Sequence, residues 1–106
     1  MHYRCKRLVE LFRKHRIDIE NKRVMDFGFG GGQLLKIFPK TCSLTGADVS
    51  RSGVERARQD PEFKQYKAAN FVQVKEDGVS SYPKGPFDII VTSHTLEHVL
   101  DDMETL

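Results

Sequence analysis

From residue 23 onward, short apolar runs of strand character alternate with stretches of helical character, and this alternation narrows the choice of fold more than any other feature. Residues 23–27, 43–47, 71–74 and 87–91 read as strands. Between them, Leu34, Leu35, Ile37 and Phe38 predict a short helix ended by Pro39, because a helix rarely runs through proline. Ser50 or Ser52 can cap a second helix, with Ser52 and Glu55 at capping-box spacing and Val54 and Ala57 facing inward before Asp60-Pro61. Residues 87–91 are almost continuously apolar or β-branched, as expected of a parallel strand covered on both faces. A further helix is expected to begin near Leu96. Strand–helix alternation of this kind predicts an α/β fold, a Rossmann-like doubly wound parallel sheet.

Residues 3–16 place Leu8, Leu11, Phe12 and His15 on one stripe of an N-terminal helix otherwise crowded with Arg and Lys. The predicted division is therefore a basic helical segment over residues 1–20 and an α/β domain over 21–106, and 106 residues suit one domain. Residues 1–23 hold eight Lys/Arg against three Asp/Glu, so the positive charge is an N-terminal matter. That basic face is compatible with a nucleic-acid surface, but a solvated helix face is the favoured reading. No apolar run approaches the ~18 residues of a membrane span, and the first eleven residues lack the apolar block of a secretory signal, so a cytoplasmic protein with no membrane partner is expected. Cys5 and Cys42 lack the paired spacing of a zinc site and read as free thiols. No metal site is expected.

The first strand runs directly into Asp26-Phe-Gly28-Phe-Gly30-Gly-Gly32. Glycines at a strand-to-helix turn let the backbone approach a ligand and present amide N–H groups to it, which suits a nucleotide-like molecule. A dinucleotide fingerprint would need Gly or Ala where Gln33 stands, and no Gly-Lys-Ser/Thr tripeptide follows, so nicotinamide dinucleotides and nucleoside triphosphates are both disfavoured. Asp48 closes the second strand twenty residues after Gly28, where an acidic side chain in such sheets meets ribose hydroxyls.

An acid followed by glycines at every second position resembles the first motif of the class I S-adenosylmethionine-dependent methyltransferases. The likeness continues through Thr45-Gly-Ala-Asp48-Val-Ser50 and through Phe87-Asp-Ile-Ile-Val91-Thr-Ser93-His94-Thr-Leu-Glu97-His98-Val99. It spans about residues 22–100 and covers the cofactor-binding half of that family, with four of its seven strands. The resemblance implies S-adenosylmethionine as cofactor, Gly28, Gly30 and Gly32 against its amino-acid end, and Asp26 ordering that loop or meeting the ammonium group. It further implies Asp48 at the ribose, Val49 as an apolar wall for adenine, Asp77 near the adenine amino group, and Ser93 beside the crevice. His94 is a weak catalytic candidate, and His98 reads as structural. Tyr3 and Arg4 sit where some members bring a helix over the cofactor.

The function so implied is methyl transfer to an unidentified, small-molecule acceptor. The competing readings are a non-catalytic module binding an adenosyl ligand, an NAD-binding domain and a nucleic-acid methyltransferase. If nothing follows the fourth strand, its bare apolar edge predicts a homo-oligomer formed through that edge.

Overall fold

In the computed structural model, which describes residues 3–75 and 83–92, four strands form one parallel sheet: β1 (Arg23–Phe27), β2 (Ser43–Asp48), β3 (Ala68–Gln73) and β4 (Ile89–Thr92). Their order is β3-β2-β1-β4, so the chain steps outward through β2 and β3 and then returns to the other side of β1. Such a reversal leaves a crevice at the carboxyl ends of the strands. Asp26 stands level with Gly46 of β2 and Val91 of β4, and Phe27 with Ala47 and Thr92.

Two apolar clusters hold the sheet. Helix α1 (Tyr3–Lys14) buries Cys5, Leu8 and Leu11 against Leu34. Cys5 belongs to the buried stripe, whereas His15, expected on it, lies past the end of the helix and is exposed. The helix stops at Lys14 because Arg16 adopts a left-handed conformation (φ 55°), letting Ile17 N–H donate to the Phe12 carbonyl at 2.9 Å and Arg16 N–H to that of Arg13 at 3.2 Å. This is a Schellman ending, and it went unseen in the sequence because glycine normally supplies it. Helix α2 (Arg51–Gln59) packs Val54 and Ala57 into the larger cluster with Val24, Leu44 and Phe71. Its cap is Ser50, whose hydroxyl accepts from Gly53 N–H at 3.1 Å; Ser52, expected to form a capping box with Glu55, lies inside the helix, and Glu55 accepts from Arg51 Nε instead. Neither Cys5 nor Cys42 takes part in a disulfide, and both are buried.

Three expectations need correction. The segment after the glycines is a single 3₁₀ turn, Leu35–Ile37, and not a short α-helix. Pro39 forces Phe38 into an extended conformation (ψ 149°), which leaves room for one turn only. The Tyr66 hydroxyl then fixes that turn from below by donating to the Phe38 carbonyl at 2.8 Å, and burial pushes this phenol up to about 12. Strand β3 begins three residues before the expected 71, since Ala68, Ala69 and Asn70 stay in register with Ser43, Leu44 and Thr45 despite their weak strand preference. Strand β4 starts at Ile89, and only one of its faces is covered among the described residues: Ile89 packs on the larger cluster, while Ile90 is 61% exposed. The helix expected near Leu96 lies outside the described residues.

At the far end of the sheet from the crevice, β1 is tied to the segment entering β4. Asp88 Oδ2 accepts from the Arg23 backbone N–H (2.9 Å) and from its Nε (3.1 Å), and Oδ1 accepts from Nη2 (3.0 Å). The Arg23 side chain and amide hold the Asp88 carboxyl down to about 2. Because the folded state binds this proton less readily than the unfolded chain, the clasp stabilises the fold above about pH 4, and its contribution fades as pH falls toward 2. Thermal melts from pH 7 to pH 2 are therefore expected to show Asp88→Asn melting below the wild type at neutral pH, with the gap closing through that window. A gap independent of pH would contradict the assignment.

No helix among the described residues is long and apolar enough to cross a membrane.

Candidate functional site

The three alternate glycines after β1 are required by the path of the backbone. Gly28, Gly30 and Gly32 have φ of 69°, 57° and 80°, a region that costs an L-residue roughly 1–2 kcal/mol. Gly28 N–H donates to the Ala47 carbonyl at 2.7 Å, extending the β1–β2 ladder by one step, and Gly32 N–H donates to the Phe29 carbonyl at 2.9 Å, closing the bend. Between them Phe29 turns inward and is buried, its ring 5.3 Å from that of Phe71. The bend is thus anchored to the core by a side chain from its own middle.

Two glycines make room for the rings beneath the bend, Gly46 for Phe29 and Phe71 and Gly32 for Phe63. A Cβ on Gly46, in the middle of β2, would lie 2.7 Å from ring atoms of both Phe29 and Phe71, and a Cβ on Gly32 would lie 2.7 Å from the Phe63 ring. Gly30 differs: a Cβ there would meet nothing within 4 Å. Above Gly30 the site is open, and a ligand can approach the bend.

Asp48 ends β2 with its carboxylate turned toward that bend. Oδ2 accepts from Gly30 N–H at 3.1 Å and Oδ1 from Ser50 N–H at 3.0 Å. Its own carbonyl accepts from Val74 N–H at 2.9 Å, and the Gln73 side-chain amide donates to the Val49 carbonyl at 3.2 Å, so the turn after β2 is braced by β3 as well. Val49 sits within this turn and is 46% exposed.

Asp26 is completely buried within β1, one residue short of the strand's end, and every buried side-chain oxygen and nitrogen among the described residues has a partner. In this position it is closed off from solvent, whereas Gly30 is exposed. Asp77, Ser93, His94, Glu97 and His98 lie outside the described residues, as do the side chains of Tyr3 and Arg4. The expected contribution of an α-helix N-terminus at the glycines is absent, since a 3₁₀ turn of three residues follows them.

Sequence reasoning passed over Phe29, Gly46 and Gln73. A glycine inside a strand signals a close approach of other groups, and a bulky residue amid glycines signals an anchor. Gln73 gave no such signal.

A parallel sheet of this strand order, with a left-handed glycine bend facing an acidic side chain at the end of the next strand, defines a Rossmann-like α/β fold. The family model described as a methyltransferase domain matches residues 1–106, and the chain belongs to that family. This bears out the resemblance drawn from the three sequence motifs. The chain is 33% identical over 89 residues to a ubiquinone biosynthesis O-methyltransferase of Coxiella burnetii, covering 83% of this chain and 37% of the relative. It is 29% identical over 87 residues to the Pseudomonas aeruginosa enzyme of the same description, covering 81% and 37%. This chain therefore spans little more than a third of the length of these curated relatives. In fold it is similar to an S-adenosylmethionine-dependent methyltransferase from Clostridium acetobutylicum, with a TM-score of 0.63 at 14% identity over 87% of this chain and 37% of that one.

Proposed function

We propose that the protein carrying this sequence is an S-adenosylmethionine-dependent methyltransferase that acts on a small-molecule acceptor in the cytoplasm. The observation that carries this reading is the Asp48 carboxylate turned onto the Gly28–Gly32 bend, with open space over Gly30. In this proposal Gly28, Gly30 and Gly32 let the backbone lie against the amino-acid end of the cofactor, Asp26 holds the bend from behind, Asp48 takes the ribose hydroxyls and Val49 faces the adenine. Asp77, Ser93 and, as a weak catalytic candidate, His94 complete the proposed set. When bound, S-adenosylmethionine supplies a methyl group already activated by its positive sulfur. The protein's work is then alignment and exclusion of water, and orientation alone can lower a barrier by up to ~7–11 kcal/mol. The O-methyl transfer named for the Coxiella and Pseudomonas relatives supports an oxygen nucleophile on the acceptor.

Calorimetric titration with S-adenosylhomocysteine and with NAD tests the reading. Saturable binding of the first and none of the second is expected. Tight NAD binding with no response to S-adenosylhomocysteine would overturn it. Methyl transfer to a panel of hydroxylated metabolites then separates an enzyme from a binding module.

The proposed self-association uses β4, which forms one margin of the sheet among the described residues. A monomer at high micromolar concentration in sedimentation would exclude it.

A further inference from the structure

The geometry points to Asp48 as a positioning residue that splints the glycine bend in its ligand-ready shape before any ligand arrives. This inference rests on the reading of the site given above and adds a task to the residue. An ionised carboxylate only accepts hydrogen bonds, and each oxygen has two lone-pair directions. In Asp48 one direction on each oxygen is already used, Oδ2 by Gly30 N–H and Oδ1 by Ser50 N–H. The side chain thereby bridges two loops whose strands, β1 and β2, are neighbours in the sheet. One direction on each oxygen remains, enough for two adjacent hydroxyls of a ribose, so a nucleoside can be accepted without releasing either amide. The ligand class selected is a nucleoside with a free vicinal diol; a phosphate on that edge would bring a second negative charge against the carboxylate.

Gly30 is where such a splint is needed. Its left-handed φ of 57° and the open space around it leave no side chain to fix it, whereas Phe29 anchors the bend on one side and the close Gly32–Phe63 approach on the other. Asparagine cannot replace the carboxylate, because it offers one oxygen and one NH₂, and the NH₂ must then face either Gly30 N–H or Ser50 N–H, donor against donor. The backbone contacts of residue 48 with β3 are unaffected by that change.

The test is made on the protein without ligand. In the wild type, a through-hydrogen-bond coupling between Gly30 ¹⁵N and Asp48 ¹³Cγ is expected, and in Asp48→Asn the Gly30 or Ser50 amide is expected to exchange with solvent at least roughly tenfold faster, with amides of β1 and β2 unchanged. Absence of the coupling, or exchange at the wild-type rate in a folded Asp48→Asn, overturns the splint. If Asp48→Asn does not fold, the wild-type coupling alone decides. A wild type that shows the coupling but does not bind S-adenosylhomocysteine upholds the splint and sinks the cofactor reading instead. Binding of S-adenosylhomocysteine without the coupling does the reverse.

Discussion

Replacing Asp48 with alanine is expected to weaken S-adenosylhomocysteine binding by roughly a hundredfold or more, with melting changed by only a few degrees. Hydrogen bonds to a charged group each contribute ~1.5–3 kcal/mol, and every 1.4 kcal/mol is a factor of ten in affinity. Two ribose hydroxyls on one carboxylate therefore account for at least two orders of magnitude, before the loosened bend is considered. Stability suffers less, because the main chain of residue 48 keeps its bond from Val74 and the side chain is only partly buried. Calorimetry on the two proteins, with melting curves alongside, checks both halves. Affinity within threefold of the wild type would remove Asp48 from the site.

A single methyl group placed on Gly46 should have the largest effect on the fold. Gly46→Ala puts a carbon 2.7 Å from both Phe29 and Phe71, and the two rings enclose it, so neither can retreat without disturbing the core. Overpacking of this kind costs about 1–3 kcal/mol, and the pinched geometry places this case at the upper end. A drop in melting temperature of about 10 °C or more is expected for a domain of this size. Gly31→Ala is the control: its Cβ would meet nothing within 4 Å and its φ lies outside the left-handed region, so it should melt close to the wild type. Equal melting of the two variants would mean that Gly46 is not a packing point. Because Phe29 belongs to the bend, Gly46→Ala should also blunt ligand binding from a position that no ligand touches.

The sheet, its parallel sense and the placement of Asp48 beside the glycines were legible because each rests on a local signal. Apolar runs at strand length, a cap at Ser50 and glycines at alternate positions all write themselves into a few neighbouring residues. What escaped depends on partners distant in sequence. The short turn after Gly32 is set by Pro39 together with Tyr66, some thirty residues away. The early start of β3 reflects pairing with β2 that overrides the preferences of Ala68 and Asn70. The burial of Phe29 depends on Gly46 in another strand, and the exposed Ile90 on what lies over β4, which no periodicity can report.

Arg58 of α2 gives the sheet a handed future. Its Nε and Nη2 both donate to the Phe71 carbonyl, at 3.1 and 2.8 Å, so a helix side chain occupies an acceptor on the outermost strand of one margin. A blunted margin does not recruit strands. A strand from another molecule that added beside β3 would first have to displace Arg58 from this carbonyl.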